Sequence, residues 1–220
     1  MKILITGSSS GIGRACALRF LKEGHEVYGL DLLSPSINNK NYHHYKCDVS
    51  IKKDLPNIKD IDIVFANAGK QNSKDDITNN LVGVINTVEK YGVKKGVKSI
   101  LINASSSAST GQEFPEYVAS KSGLIGYMRN VAIRVAPNGT ICNSISLGGV
   151  LTKSNEPVIK DKKSWKAVME VTPLKKWMDE EEVADWVIFL TLQNKSMSGQ
   201  DILIDNGERD LNPTFVWPKK

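Results

Sequence analysis

The chain opens with Ile3-Leu4-Ile5-Thr6-Gly7-Ser8-Ser9-Ser10-Gly11-Ile12-Gly13, an apolar run that leads directly into a glycine-rich turn. The apolar run predicts a buried strand, and the residues after the turn have the apolar spacing of a helix. Glycine lets the backbone approach a pyrophosphate closely, and the first turn of a helix presents free N–H groups and the positive end of its dipole. We therefore expect a dinucleotide phosphate site formed by Gly7, Ser9, Ser10, Gly11, Ile12 and Gly13.

A second motif, Tyr117-Val118-Ala119-Ser120-Lys121, stands at the head of a later helical pattern. Tyr117 and Lys121 are four residues apart, so a helix presents both side chains on the same face. A phenol has an ordinary pKa of about 10 and is a poor base at neutral pH, but a nearby ammonium favours the phenolate. The pair predicts acid–base chemistry in which Lys121 lowers the pKa of Tyr117.

The composition is that of one globular domain. The 220 residues are 40% hydrophobic and 24% charged, which is enough apolar content for one substantial core. We expect a single domain over residues 1–220. The longest apolar runs have the length of strands, and Met1 passes directly into the first of them. We expect no secretory leader, no membrane span and a cytoplasmic location.

The cysteines and histidines predict neither a disulfide framework nor a metal site. Cys16, Cys47 and Cys142 are far apart and form no C-x-x-C pair, which favours reduced packing residues. The neighbours His43 and His44 would point to opposite faces of a strand, which is a poor arrangement for sharing one ion. We therefore expect no bound metal.

The net charge of +5 alone would be compatible with a nucleic-acid partner. The lysines, however, are scattered. The local clusters at 94–98, 160–166 and 219–220 lack the interleaved aromatic residues that would stack on bases, and this is typical of solvated faces. We expect no nucleic-acid partner.

Apolar runs of strand length recur along the chain, separated by stretches with helical spacing. This alternation predicts βαβ units and a parallel sheet. The seven runs, of which the third is the weakest, are Ile3–Ile5, Val27–Leu30, His43–Lys46, Ile61–Ala66, Ser99–Ile102, Thr140–Ile145 and Ile202–Ile204. Residues 34–41 are polar and turn-forming, so the crossover helix expected between the second and third strands is shortened or missing.

Together these motifs resemble the short-chain dehydrogenase/reductase family in its single-domain form, whose glycine-rich turn reads T-G-x-x-x-G-x-G. Matching motifs run nearly end to end. Besides the turn and the Tyr117/Lys121 pair, they are Asp31, Cys47-Asp48-Val49, Asn67-Ala68-Gly69, Asn80, Ser106, Asn143, Gly148 to Thr152, Ser198-Gly199-Gln200 and Asp205-Asn206-Gly207. The resemblance implies a Rossmann-type, doubly wound α/β fold in three layers around a seven-stranded, mainly parallel sheet.

The resemblance also implies an NAD(P)-dependent oxidoreductase that interconverts a secondary alcohol and a ketone by hydride transfer. Tyr117 would give a proton to the carbonyl oxygen and take it back in the oxidation direction, while Lys121 would also hold the nicotinamide ribose. Ser106 would orient the substrate oxygen, with Ser105 as the alternative. Asn80 matches the family's helix asparagine, whose backbone holds a water next to the lysine.

The second predicted strand ends at Asp31, 18 residues after Gly13. A carboxylate at this distance accepts both ribose hydroxyls of the adenosine half and would repel a 2′-phosphate. Ser10 is neutral where relatives that prefer the phosphorylated cofactor often carry a basic residue. We therefore expect NAD in preference to NADP, with Arg14 as the one nearby residue that argues the other way.

The remaining cofactor contacts that the resemblance implies follow later strands. Asp48 and Val49 would line the adenine pocket, Asn67, Ala68 and Gly69 would lie beneath the cofactor, Tyr117 and Lys121 would hold the ribose, and Val150 and Thr152 would receive the nicotinamide carboxamide. Residues 153–171 are polar, charged and weakly patterned, which suits a lid over a small alcohol or ketone substrate.

Two further expectations concern partners and alternatives. In relatives, helices near 80–94 and 117–136 pack into a four-helix dimer interface, and the aromatic tail Pro213-Thr214-Phe215-Val216-Trp217 would suit a second contact, so a homotetramer or homodimer is expected. A different reading is a nucleotide-binding regulator or scaffold on the same fold. Such proteins typically lack the tyrosine or the lysine, and both are present in this sequence.

Overall fold

A seven-stranded sheet forms the centre of the computed structural model, which describes residues 1–211; the aromatic tail at 213–217 lies outside them. The strands are β1 Lys2–Thr6, β2 Glu26–Asp31, β3 Tyr42–Lys46, β4 Ile63–Ala66, β5 Ser99–Asn103, β6 Ile141–Leu147 and β7 Asp201–Ile204. Their order across the sheet is β3-β2-β1-β4-β5-β6-β7, and all six pairings are parallel. All seven predicted strands are confirmed, and the sheet is wholly parallel where a mainly parallel one was predicted.

Helices cover both faces of this sheet and complete the predicted three layers. They are α1 Gly11–Lys22, α2 Gly83–Thr87, α3 Ser107–Thr110, α4 Pro115–Val135, α5 Glu156–Lys160, α6 Lys162–Val171 and α7 Glu180–Ile188. Wider π-helical turns, Ile77–Val82 and Val88–Gly92, flank α2, and a third, Phe189–Gln193, extends α7. No helix within residues 1–211 has the length and apolar character that a membrane crossing requires.

The core divides between the two faces because side chains alternate along each strand. Ile3 and Ile5 of β1 pack with Phe20 of α1 on one face. Leu4 lies between them in sequence and packs with Val64 on the other. All five side chains are fully buried, which explains why the strands read as nearly continuous apolar runs.

The crossover between β2 and β3 contains no helix, as the polar residues at 34–41 predicted. Consequently Leu32 and Leu33 are exposed directly after β2. The predicted cysteine chemistry also agrees with the structure, since Cys16, Cys47 and Cys142 are buried as free thiols. Burial raises the pKa of Cys47 to about 11, so this thiol stays protonated at neutral pH.

Candidate active site

The candidate site lies at the carboxyl ends of the strands, where the sheet order reverses between β1 and β4. Loops leave neighbouring strands in opposite directions at such a point and open a crevice, which is where open parallel sheets bind ligands. A cleft of about 410 Å³ extends from the glycine-rich turn to the loops that follow β5 and β6. The predicted site residues that line it are Ile12, Ser106, Tyr117, Lys121, Val150 and Thr152.

The glycine-rich turn is packed too tightly for larger residues at two of its positions. Gly7 has a φ of +70°, which only glycine adopts freely. Gly13 has an ordinary φ, but a β-carbon there would overlap the carbonyl oxygen of Gly7 and lie 2.8 Å from Asn67 Nδ2. Helix α1 therefore begins directly above β1, with its first N–H groups facing the crevice.

Thr6 joins this turn to the loop that follows β4. Its buried hydroxyl oxygen accepts hydrogen bonds from the backbone N–H groups of Asn67 and Ala68, both at 2.9 Å. The Asn67 side chain donates to the Thr6 carbonyl at 3.0 Å and accepts from Asn103 at 2.9 Å. The side chain of Asn67 thus links the carboxyl ends of β1, β4 and β5. The role of Thr6 was not foreseen from sequence, although the residue is part of the quoted motif.

Asp31 lies next to the turn, as predicted. Its carboxylate accepts the N–H of Ser9 at 2.8 Å and that of Leu33 at 2.8 Å. The residue is half-buried at the carboxyl end of β2, beside β1. Arg14 is exposed, and its charge acts on Glu180 of α7, whose pKa it lowers against the larger, raising effect of burial.

Asp48 and Val49 follow β3 and do not line the main cleft. The Asp48 carboxylate accepts the N–H and hydroxyl of Ser50, at 2.9 Å and 2.6 Å. The Val49 carbonyl accepts from the side chain of Asn86 at 3.1 Å. Both residues are half-buried beyond the end of β3, on the side of the sheet where Asp31 lies.

Tyr117 and Lys121 share one face of α4, as their spacing predicted. Lys121 is 4% exposed, and its Nζ donates to the carbonyl oxygen of Asn103 at 2.7 Å. The same Nζ lies 5.6 Å from the centre of the Tyr117 ring. Helix α4 and the end of β5 therefore hold the ammonium beside the phenol inside the cleft.

Burial dominates the ionisation of this pair. It raises the pKa of Tyr117 to about 12, with the charges of Glu113 and Asp76 acting in the same direction and the nearby Ser105 hydroxyl acting against them. It lowers the pKa of Lys121 to about 8. The expected lowering of the Tyr117 pKa is therefore not the net result, because loss of water around the phenol raises this pKa.

The serine beside the phenol is Ser105, the alternative to Ser106. Ser105 is buried, lies close enough to Tyr117 to lower its pKa, and accepts from the backbone N–H and hydroxyl of Ser107 at 3.2 Å and 2.9 Å. Ser106 is half-buried at the start of α3 and also lines the cleft. Its backbone N–H donates to Leu147 at 2.9 Å. The loop between β5 and α4 is short, and the sequence alone left open which of the two neighbouring serines lies beside Tyr117.

Asn80 lies in the π-helical turn Ile77–Val82 and is fully buried. Its side-chain oxygen accepts the N–H of Lys70 at 2.7 Å, and its amide donates to the Lys70 carbonyl at 2.8 Å and to Ser120 at 3.2 Å. Gly69 packs against it, since a β-carbon at that position would lie 2.9 Å from Asn80 Oδ1 and 3.7 Å from Lys121 Nζ. The asparagine therefore connects the loop after β4 to the helix that carries Tyr117.

Helices α5 and α6 form the segment expected as a lid. Neither helix has a buried residue, and Val158 and Val168 line the cleft. Trp165 of α6 meets Trp177 edge-on, with ring centres 5.2 Å apart. The Trp177 indole packs directly on Gly149, so closely that a β-carbon on residue 149 would overlap the ring. This aromatic pair was visible in sequence only as isolated apolar residues.

Two acidic residues of the cleft were also missed. Glu113 precedes α4 and Glu208 follows β7, and both line the cleft with Tyr117. The Gln71 side chain donates to the Glu113 carboxylate. Nothing in the local sequence around either glutamate predicts that they meet, since only the return of the chain after β7 brings them together.

The residues at the crevice fit a nicotinamide dinucleotide. Gly13 holds the start of α1 tightly against the glycine-rich turn. Beside it, the buried hydroxyl of Ser9 has no hydrogen-bond partner within residues 1–211, and neither does Asn103 Oδ1 farther along the cleft. Orphaned buried polar atoms are rare in native proteins and are ordinarily satisfied by a ligand or water. Backbone N–H groups at the start of α1 suit a pyrophosphate, and the Asp31 carboxylate suits ribose hydroxyls.

Comparison with known proteins agrees with this geometry. A family model described as enoyl-(acyl carrier protein) reductase matches residues 78–208, and one described as the NAD-dependent epimerase/dehydratase family matches residues 3–123. A 3-oxoacyl-(acyl-carrier-protein) reductase of Buchnera aphidicola is 30% identical over 233 residues, covering 92% of this chain and 95% of its own. Glucose 1-dehydrogenase of Gluconobacter oxydans is 27% identical over 245 residues, covering 94% and 91%.

A solved structure is similar over the same span. It is described as a putative 2-deoxy-D-gluconate 3-dehydrogenase from Agrobacterium tumefaciens with bound NADP, with a TM-score of 0.86, 25% identity, and coverage of 94% of this chain and 95% of that one. The chain therefore belongs to the short-chain dehydrogenase/reductase family, a class of NAD(P)-dependent oxidoreductases that interconvert alcohols and ketones.

Proposed function

We propose that the protein interconverts a small secondary alcohol and its ketone with NAD as the preferred cofactor, using Tyr117 as the acid–base group. The observation that carries this proposal is the buried Lys121 ammonium, held by Asn103 and lying 5.6 Å from the ring of Tyr117 inside the cleft. Burying a lysine is costly and needs a reason beyond packing. Positioning a phenol for proton transfer is such a reason.

When bound, the nicotinamide supplies or accepts the hydride. Tyr117 donates its proton to the carbonyl oxygen of a ketone, and the raised pKa keeps that proton on the phenol at neutral pH. In the oxidation direction the phenolate takes the proton back. Lys121 stabilises the phenolate as its charge develops, and the buried Asn80 holds the loop after β4 against α4 so that the lysine keeps its place.

We assign the substrate-orienting hydroxyl to Ser105, with Ser106 at the wall of the cleft. The effect of Ser105 on the Tyr117 pKa supports this choice, because a hydroxyl close to the phenol can also face the substrate oxygen that the phenol protonates. Val150 and Thr152 face the cleft from the loop after β6 and are proposed to receive the carboxamide of the nicotinamide. Residues 1–220 are proposed to act as one domain in which 153–171 covers the substrate.

The NAD preference rests on Asp31 and its surroundings. The carboxylate lies beside Ser9 of the phosphate turn, where a 2′-phosphate would meet its negative charge. The nearest basic candidate, Arg14, is exposed and interacts with Glu180. The similar Agrobacterium protein was solved with NADP, so cofactor choice varies among the relatives and has to be measured for this one.

The proposal is tested by turnover and binding measured together. We expect purified protein to bind NADH more tightly than NADPH and to oxidise or reduce at least one member of a panel of sugars, polyols, hydroxy acids and keto compounds, followed by the absorbance of the reduced nicotinamide. The variant Tyr117→Phe should lose about 10³-fold in kcat while its NADH affinity stays within about twofold. Tyr127→Phe, on the same helix but bonded to Glu89, is the matched control and should keep full activity.

A result in which cofactor binds but the Tyr117→Phe variant keeps most of the wild-type rate would overturn the acid–base assignment. Binding of cofactor with no turnover of any panel member would favour the regulator or scaffold instead.

Assembly into a homotetramer or homodimer, and a cytoplasmic location, are proposed with it. Large apolar side chains are exposed on two separate faces: Ile133 of α4 with Val82 of the neighbouring turn, and Trp186 with Phe189 along α7. Trp186 and Phe189 also pair edge-on, with ring centres 6.2 Å apart. Light scattering or analytical ultracentrifugation would show the assembly.

A further inference from the structure

Three charged side chains line the cleft, one cationic and two anionic. The cation is Lys121, which is buried and donates to the carbonyl of Asn103. The anions are Glu113 and Glu208, which line the same cleft as Tyr117. The other residues that line the cleft are neutral, including Asn155, Val158 and Val168 of the segment proposed as a lid.

Neither glutamate has a cationic side-chain partner among the described residues. Glu113 accepts from the neutral amide of Gln71, and the nearest donor to Glu208 is the Thr172 hydroxyl at 3.5 Å. The guanidinium of Arg209, next to Glu208 in sequence, is committed to Asp210 and to the Ser109 hydroxyl. Neither carboxylate therefore forms a salt bridge within residues 1–211, although the charge of Lys121 acts on Glu113.

The two carboxylates also act on one another. Burial raises the pKa of Glu113, with the charge of Glu208 acting in the same direction and the Gln71 bond and the charge of Lys121 acting against it. Burial and the charge of Asp205 raise the pKa of Glu208. Like charges in a partly buried site destabilise each other, and a cation between them removes the repulsion, which a neutral hydroxyl does not do. The site is unsuited to a metal ion, because no three acidic, histidine or cysteine side chains within residues 1–211 converge closely enough to hold one.

The basic residues of the lid do not offset this charge. Its lysines are exposed, Lys160 pairs with Glu156 at 2.5 Å, and Lys166 lies 4.0 Å from Glu170. The parts of the lid that reach the cleft are the neutral residues already named. A substrate that enters therefore meets two carboxylates in the cleft that contains the reacting phenol.

We infer that Glu113 and Glu208 determine specificity for an alcohol or ketone that carries a cationic amino group a few bonds from the reacting carbon. This inference rests on the proposed function and names its substrate class. The amino group would lie between the two carboxylates while the reacting oxygen faces Tyr117. Substrates with a carboxylate at the same position would be rejected by like charge.

The test uses three alcohols on one five-carbon skeleton that differ only in the terminal group: 5-amino-2-pentanol, 1,4-pentanediol and 4-hydroxypentanoate. Affinity for the NADH-bound enzyme is measured by calorimetry, which needs no turnover, and kcat/KM is measured with NAD. We expect the amino alcohol to be favoured over the diol by about tenfold in both, and the acid to be the poorest. Glu113→Gln and Glu208→Gln should each remove most of this preference.

The matched control is Glu116→Gln, which removes the same charge from an exposed position in the first turn of α4, outside the cleft lining. It should leave the order of the three alcohols unchanged. Equal affinity for the amino alcohol and the diol, or a preference that survives in both cleft variants, overturns the inference. If the binding order is as expected but none of the three is oxidised, the charge selectivity stands and the oxidoreductase proposal is the one that fails.

Discussion

The two ends of the cleft are built in different ways. At the end that receives the dinucleotide, backbone lies against backbone: Gly13 almost touches Gly7, and Thr6 binds two N–H groups of the loop after β4. At the substrate end, α5 and α6 have no buried residue and reach the cleft with a few side chains. The same sheet thus carries a rigid cofactor site and a loosely packed substrate site.

This contrast follows from what each end has to recognise. The pyrophosphate is common to NAD and NADP, so a close-packed backbone can match it whichever of the two a member of the family uses. A substrate differs between members, and side chains on lightly packed helices can change without disturbing the sheet. Substitutions at the cofactor end should therefore affect folding and binding together, whereas those at the substrate end should affect catalysis or selectivity alone.

The largest effect is expected for Gly13→Ala. The added β-carbon would overlap the Gly7 carbonyl, so the turn has to open or the helix has to shift. We expect a loss of about 3 kcal/mol in the free energy of unfolding, measured by urea titration, together with loss of measurable NADH binding. Gly126→Ala on α4 is the control, because a β-carbon there meets no atom within 4 Å. Equal behaviour of the two variants would contradict the tight-packing account.

Ser105→Ala should follow, with a fall in kcat of about 10²-fold and little change in stability or NADH affinity. The hydroxyl lost is the one that lowers the pKa of Tyr117. Ser106→Ala is the matched control and should stay within about threefold of wild type, since the contact of Ser106 to Leu147 is made by its backbone. If steady-state kinetics showed a larger fall in kcat for Ser106→Ala than for Ser105→Ala, Ser106 would be the residue that orients the substrate oxygen.

Asp31→Asn should change cofactor selectivity by a smaller amount. Removing the charge weakens the bonds to ribose hydroxyls and ends the repulsion of a 2′-phosphate, so the ratio of NADH to NADPH affinity should fall by about tenfold. Asp48→Asn lies beyond β3, where its carboxylate is bound by Ser50. It should change the affinities for NADH and NADPH by the same factor. Fluorescence titration with both cofactors measures each ratio.

The smallest effect is expected for the stability of the Lys121→Met variant. This variant should lose activity and yet become more stable. The folded protein holds this lysine at a pKa of about 8, below its ordinary value, so the unfolded chain binds more protons between the two values. Below about pH 8 the buried charge therefore destabilises the fold. We expect the variant to gain about 1–2 kcal/mol at neutral pH, after allowance for the lost bond to Asn103.

That gain should shrink as the pH rises from about 8 to about 10, because the wild type then releases the proton and the penalty disappears. Lys166→Met, at an exposed position on α6, should show no such pH-dependent difference. A gain that does not change with pH would show that the added apolar surface, and not the removed charge, is responsible.

Much of the molecule could be predicted from particular residues. The seven strands were recognisable because a parallel sheet covered on both faces needs nearly continuous apolar runs, as in Ile3 to Ile5. The missing helix after β2 was recognisable from the polar residues at 34–41. The choice between Ser105 and Ser106 was not, because two neighbouring serines have the same chemistry and only the path of a short loop separates them.

Local spacing was enough to place the phosphate turn and to bring Tyr117 and Lys121 onto one helical face, since backbone geometry alone fixes both relations. The ionisation of that pair and the meeting of Glu113 with Glu208 came from the folded arrangement. A pKa depends on how much water the surrounding protein removes, and the two glutamates belong to segments that approach only when the chain returns after β7. Residues that are neighbours along the chain therefore determine neither the pKa values of this pair nor the meeting of the two glutamates.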